Sequence, residues 1–323
     1  MSCLPSTRNM EPETRNTRAN ALSHLALGTV QFGLPYGVAN RSGQPPYEVV
    51  LDILACAIEG GVTVLDTAAG YGESEAVLGR ALADLGFSEK VTVVTKIAAL
   101  SPDLAPNRAD ALVEASVCNS LRQLRLGYLD LCLFHREQDF RYADSLLKLR
   151  ESGLVRRIGC STTTPATTRT IVASGLAEAV QFPASVLDRR FLPSGTEAHA
   201  RGMAVFARSI YLQGLLFLDD AATPEDLLNI TPVRRRLIEL ARGAGMPLAE
   251  LALRFALGRQ ELDSVLVGVD SVAQMRENLA LFAKGPLPLD LAREVDAAGP
   301  PLPDAILDPW RWAKRMPDAK PRN

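Results

Sequence analysis

The sequence predicts an α/β fold of the (β/α)8 type, a single-domain TIM barrel. Three observations point to it. Eight short apolar runs alternate with helical patterns at a spacing of one βα unit each. The runs are apolar at nearly every residue, as strands buried on both faces must be. No GxGxxG fingerprint follows the first strand, although Gly28 and Gly33 flank its end, so an open doubly wound sheet fits less well.

In order, the elements read as follows. Leu25–Val30 is the first strand, and Tyr47–Glu59 a helix stopped by Gly60 and Gly61. Val62–Leu65 is the second strand, followed by a helix over Glu73–Leu85 that ends at Gly86. Val91–Ile97, Tyr128–Phe134, Val155–Cys160 and Ala179–Phe182 supply strands three to six. Helices over Asp110–Arg125, Arg141–Ser152 and Pro165–Ser174 separate them, and Ser194–Ala200 lies in the next. Met203–Ala207 is the seventh strand. An insertion follows it, then a helix around Leu248–Leu257 and the eighth strand, Val265–Val267. Ser271 and Gln274 form a capping box at the start of the last barrel helix, Ser271–Phe282. The barrel is expected to occupy residues 23–285. Residues 1–22 are too polar to fold alone and are expected to be a disordered tail. Residues 286–323 form a proline-rich tail carrying Trp310 and Trp312, expected to pack on or near the pocket mouth.

The totals exclude several function classes. Of 323 residues 47% are apolar, enough for a large core, and 35 basic against 37 acidic residues leave a net charge of -2. No positive field invites nucleic acid or anionic lipid. No apolar run reaches the length of a membrane span, and no apolar core follows a basic start, so a cytoplasmic protein is expected. The five cysteines are scattered without a CxxC, which fits thiols in a reducing compartment. With three histidines, no metal centre is expected. His24 and His199 are assigned to structure, Cys160 to an inert buried position, and Arg234–Arg236 to a solvated helix face.

The chemistry gathers at the strand ends, where a parallel barrel builds its site. The stretch VTVLDTAAGYGESE, residues 62–75, ends a buried strand on Asp66 and sets Tyr71 between Gly70 and Gly72. The third strand carries Lys96 one residue from its end, and the fourth runs into His135. A lysine inside an apolar strand needs a partner, and Asp66 on the neighbouring strand is the obvious one. A helix cap at Asp66 and a surface-packed Tyr71 are the structural alternative for that stretch alone.

These four residues, in this order and strand placement, with the DxAxxYG run, LGTVQFGLPYG and RSIYLQGLL, resemble the aldo-keto reductase superfamily, in particular a bacterial branch of it. The resemblance runs from about Leu25 to Asn278. It implies a TIM barrel that binds NADP(H), with NAD(H) also possible, and acts on a small-molecule carbonyl or alcohol. Tyr71 would be the proton donor. Lys96, as a cation, would favour the phenolate, Asp66 would hold Lys96, and His135 would orient the substrate oxygen. By the same resemblance Gly28, Thr29, Gln213, Gly268, Gln274, Glu277 and Asn278 line the cofactor, the last four at its adenosine end. Ser161 and Gln181 hold the nicotinamide amide, and Ser209 lies near the pyrophosphate. Three positions depart from the family pattern. Thr162 stands where asparagine is common, Arg208 where an aromatic ring is, and Asp270 where a neutral residue or cation is expected. Arg136, Arg141, Trp310 and Arg311 hint at a polar or anionic substrate such as a sugar derivative. A nucleotide-binding regulatory subunit on the same barrel is the alternative. The oligomeric state is not legible.

Overall fold

In the computed structural model, which describes residues 21–37, 43–102 and 104–312, the eight strands close into one parallel barrel. They are β1 (Leu25–Gly28), β2 (Val64–Asp66), β3 (Thr92–Ile97), β4 (Leu129–Phe134), β5 (Val155–Ser161), β6 (Ala179–Pro183), β7 (Ala204–Arg208) and β8 (Ser264–Gly268). Each pairs with its sequence neighbours, and β1 closes on β8 in the register Gly28 to Gly268. The helices are α1 (Tyr47–Glu59), α2 (Ser74–Leu85), α3 (Pro106–Leu124), α4 (Ala143–Glu151), α5 (Pro165–Ser174), α6 (Leu192–Ala200), α7 (Thr231–Gly243), α8 (Leu248–Leu257), α9 (Val272–Ala283), α10 (Leu289–Asp296) and α11 (Asp304–Leu307).

Strand alternation decides which residues reach the site. Val94, Leu131, Leu133 and Phe206 share one cluster inside the barrel, while Val93, Cys132 and Val205 pack outward with the helices. Lys96 stands two residues beyond Val94 and therefore also faces inward.

Several boundaries differ from the sequence reading. The first strand stops at Gly28, because Val30–Phe32 turns into a 3₁₀ turn. The second starts at Val64 and includes Asp66. Helix α3 starts at Pro106, where proline suits the first turn. The insertion after β7 contains α7, whose Arg234–Arg236 run is not a wholly solvated face. The Arg234 side chain is only 2% exposed, against 69% for Arg235. Arg234 donates to Thr223 Oγ1 at 3.0 Å and pairs with Asp220, tying the insertion to the helix. Cys56, Cys132 and Cys160 are free thiols.

The tail packs to one side. Trp312 is buried in a second core with Leu187, Leu215 and Leu237. Arg190 bridges Asp188 at 2.8 Å and Asp308 at 3.0 Å, fixing the tail to the chain after β6. Residues 1–20, the Trp310 side chain and residues 313–323 lie outside the described residues. No helix among the described residues is long and apolar enough to cross a membrane.

Candidate active site

The centre of the site is an ion pair inside the barrel wall. Lys96 Nζ donates to both Asp66 carboxylate oxygens and to the Thr67 carbonyl oxygen, each at 2.8 Å. Lys96 is 1% exposed and Asp66 4%. Burial is the largest influence and works against the ammonium, but the charges of Asp66 and Tyr71 and the Asp66 hydrogen bond together outweigh it, so the Lys96 pKa is held above its ordinary value. The ammonium is held by Asp66 and Thr67, and no hydrogen bond joins it to Tyr71. Lys96 therefore reaches Tyr71 as a charge: Nζ lies 5.1 Å from the Tyr71 ring centre.

His135 meets Tyr71 from the other side, edge to face, with ring centres 5.4 Å apart. Burial first, then the charges of Lys96, Arg208 and Arg136, push the His135 pKa down to about 3. Its imidazole is neutral at working pH and can donate one hydrogen bond. The structural alternative for Asp66 and Tyr71 fails, since the Asp66 carboxylate holds Lys96 and Gln181 and caps no helix.

The glycines around Tyr71 clamp its turn. A Cβ on Gly33 would stand 1.9 Å from the Tyr71 carbonyl oxygen, and one on Gly72 would stand 2.4 Å from the Gly33 carbonyl oxygen. Gly72 also sits at φ +57, open to glycine at little cost. Two backbones touch here because neither carries a side chain. Ser74 completes the turn: its hydroxyl lies 2.7 Å from the Thr29 carbonyl oxygen and 3.0 Å from the Thr67 hydroxyl.

A cavity of about 390 Å³ opens beside Tyr71, between the ends of β1, β7 and β8. Of the sequence-selected residues it is lined by Gly28, Thr29, Asp66 and Tyr71 at the chemical end. Arg208, Ser209 and Gln213 form a second wall, and Gly268, Asp270, Gln274, Glu277 and Asn278 the far end. Lys96, His135, Ser161, Thr162 and Gln181 stand outside that lining. Lys96 and His135 back Tyr71 directly. Gln181 is reached through Asp66, whose Oδ1 accepts from Gln181 Nε2 at 2.7 Å. Ser161 is Gln181's register partner. The Thr162 hydroxyl instead accepts from Thr168 at 2.8 Å.

A nicotinamide dinucleotide fits these residues on one point of chemistry. Asp66 takes the Gln181 amide N–H, which leaves buried Gln181 Oε1 without a partner, and Gln31 Oε1 is likewise unpartnered. Buried acceptors in that state call for an N–H or O–H donor. Gln31, Tyr211 and Gly214 also line the cavity and were not legible from the sequence, because they lie on irregular loops. The wall after β7 holds unusual backbone: Ser209, Leu212 and Gln213 have φ of 61, 47 and 55. Gln213 Nε2 donates to Tyr36 Oη at 2.9 Å, joining the loops on either side of the cavity. Arg208 donates to the Thr162 carbonyl oxygen at 2.9 Å, which holds its side chain against β5. One arm of the capping box forms, with Ser271 Oγ accepting from the Gln274 amide at 3.3 Å, while Gln274 Oε1 accepts at 2.9 Å from the amide of Asp270, one residue before the cap.

The arginines expected to meet an anionic substrate are used in structure. Arg136 donates to Asp139 at 3.1 Å and to the Leu100 carbonyl, Arg141 to the Pro102 carbonyl, and Arg311 to Asp308 at 2.9 Å. No described residue of the C-terminal tail lines the cavity.

Residues 24–299 match the model of the Aldo/keto reductase family. The NADH-specific methylglyoxal reductase of Escherichia coli is 25% identical over 298 aligned positions, with 80% of this chain and 89% of that protein covered. An aldo-keto reductase of Mycobacterium avium is 30% identical over 263 residues, 77% of this chain and 80% of that one. The holo form of an aldo-keto reductase from Bacillus halodurans has a TM-score of 0.70 at 22% identity, over 87% of this chain and 93% of its own, a likeness of fold. By a family match over most of its length, this chain belongs to the aldo/keto reductase family and is an oxidoreductase.

Proposed function

We propose that the protein reduces a small aldehyde or ketone to an alcohol, with Tyr71 as the proton donor and NADP(H) or NAD(H) as the partner. The observation that carries this reading is the buried Asp66–Lys96 pair set beside Tyr71 and neutral His135. When bound, the nicotinamide cofactor supplies the hydride. Tyr71 gives its phenolic proton to the carbonyl oxygen as that oxygen gains charge. The Lys96 ammonium, held positive by Asp66, stabilises the phenolate left behind. His135 donates a hydrogen bond to the same oxygen and fixes its direction. Gln181 Oε1 is the acceptor for the cofactor's amide, with Ser161 beside it.

The substrate favoured is uncharged, because Arg136, Arg141 and Arg311 are committed elsewhere. The methylglyoxal named for the E. coli relative, a small dicarbonyl, is a first candidate. At the adenosine end, Asp270 and Glu277 line the cavity, and the one cation in the described lining, Arg208, sits on the β7 wall. That charge pattern weakens the preference for a 2′-phosphate, so NAD(H) is accepted alongside NADP(H). The test is a steady-state screen of both reduced cofactors against methylglyoxal, simple aldehydes, ketones and sugar aldehydes. Oxidation of either cofactor with stoichiometric alcohol supports the reading. Tight cofactor binding without turnover across the panel refutes it.

A further inference from the structure

The buried carboxyl of Glu75 has no part in the chemistry above. It is 4% exposed and lies on the first turn of α2, four residues after Tyr71. Thr95 Oγ1 donates to Glu75 Oε1 at 2.6 Å, and the Ser120 hydroxyl of α3 donates to the same carboxyl. Thr95 faces outward on β3 and is the immediate neighbour of inward-facing Lys96. One end of this tether thus fixes the helix that follows the Tyr71 turn, and the other fixes the strand that carries Lys96. Helix α2 is also seated hard against α3, since a Cβ on Gly79 would stand 2.3 Å from the Gln123 carbonyl oxygen. Ser74, the residue before Glu75, binds the same turn to the ends of β1 and β2.

No hydrogen bond joins Lys96 to Tyr71, so their relative position is set by the backbone elements behind them. We infer that Glu75 is a positioning residue: through Thr95 and Ser120 it holds the start of α2, and with it the Tyr71 turn that leads into the helix, against the Lys96 strand at the spacing proton transfer requires. The inference rests on the reading of Tyr71 as proton donor. Burying a carboxyl is costly unless it is hydrogen-bonded. A 2.6 Å bond from Thr95 and a further hydrogen bond from Ser120, on two different elements, make that carboxyl a joint between them rather than a filler.

The experiment compares Glu75→Leu, Glu75→Gln, Thr95→Val and Tyr71→Phe in the full chain. The readouts are single-turnover hydride transfer with cofactor prebound, KM for the carbonyl, cofactor Kd by fluorescence, and the thermal midpoint. Glu75→Leu is expected to slow hydride transfer about 10- to 100-fold, the scale of an ångström-level misplacement. KM and cofactor Kd should stay within about threefold. Glu75→Gln, whose amide oxygen still accepts from Thr95, should restore most of the rate. If Glu75→Leu does not fold, Thr95→Val is read in its place, since it removes one arm of the tether and leaves Ser120. A wild-type single-turnover rate in a folded Glu75→Leu or Thr95→Val protein overturns the inference. So does a loss that only tracks the unfolded fraction. If Tyr71→Phe also keeps its rate, the underlying assignment of Tyr71 fails first. A slow Tyr71→Phe beside unaffected Glu75 variants sinks the positioning role alone.

Discussion

The sector from β2 to β4 and the sector from β7 to β8 build the same pocket by different means. In the first, side chains leave the strands at fixed register positions and are locked by short bonds: Lys96 to Asp66 and Thr67, Thr95 to Glu75, Ser74 to Thr29. In the second, the wall is loop. Three non-glycine residues at positive φ lie between Ser209 and Gln213, and the 3₁₀ turn Leu212–Phe217 is broken inside by Gln213 and Gly214. Two hydrogen bonds, Gln213 to Tyr36 at 2.9 Å and a long one from Tyr211 to Asn278 at 3.5 Å, link that wall across the cavity. The first sector is arranged for chemistry that tolerates little displacement. The second is arranged to wrap a long ligand, and its unusual backbone is the kind found where ligands are clamped.

The comparison breaks most sharply at Tyr71. Tyr71→Phe keeps the ring packed against His135 and removes only the acid. Hydride transfer should fall by roughly 10²- to 10⁴-fold while cofactor affinity, set by the other sector, stays near wild type. Single-turnover kinetics and a cofactor titration on one preparation decide it. A parallel loss of cofactor affinity would show that the two sectors are not separable.

Lys96→Met comes next, and here the expected effect includes stability. The substitution leaves Asp66 buried with Gln181 as its remaining side-chain donor, and breaking a buried pair from one side costs about 3–5 kcal/mol. Chemical denaturation should show that loss together with a reduced rate. A variant as stable as wild type would show that the buried pair contributes nothing to stability.

These two residues were legible in the sequence because strands leave few places for a charge. An acid ending one buried run and a lysine within the next have one economical arrangement. His135 was legible for the same reason. Glu75 was not, since an acid in the first turn of a helix is ordinary on a surface and nothing local shows that α3 and β3 close over it. Arg234 misled in the same way: the run RRR reads as solvated until the insertion folds over its first member. Gln31, Tyr211 and Gly214 escaped because loop walls have no period to read. The arginines at 136 and 141 looked available for substrate because sequence does not reveal carbonyls one loop away.

The third expectation is a pH profile. The folded His135 pKa of about 3 lies below its ordinary 6.5. Above 6.5 the ring is neutral in both folded and unfolded chains and its contribution is constant. As pH falls from 6.5 towards 3 the unfolded chain takes up the proton first, so the folded state loses stability across that window. In kcat/KM, no break attributable to His135 should appear near 6.5. Replacing His135 by Gln should lower the rate and leave the profile between pH 5 and 8 unchanged in shape. A wild-type break near 6.5 that vanishes in His135→Gln would show that the imidazolium, not the neutral ring, faces the substrate.

The smallest effect belongs to the far end of the loop-built sector. Asp270 lines the cavity and precedes Ser271, which caps α9, and its own amide is bound by Gln274. Its backbone is thus held by the Gln274 side chain, and on the proposed reading its charge would stand close to a bound 2′-phosphate. Two unit charges ~6 Å apart at an effective dielectric of ~40 interact by roughly 1.4 kcal/mol, about tenfold in binding. Asp270→Ser should therefore raise the efficiency with NADPH relative to NADH by roughly 5- to 30-fold. The catalytic sector should not respond, so the single-turnover rate at saturating cofactor should hold. Measuring kcat/KM for both cofactors at low and high salt adds a second check. An effect carried by charge shrinks as salt screens it, whereas one carried by a rearranged capping box persists. A ratio that does not move would place the Asp270 carboxylate away from the ribose, and cofactor choice would then fall to Glu277 on the next turn of α9.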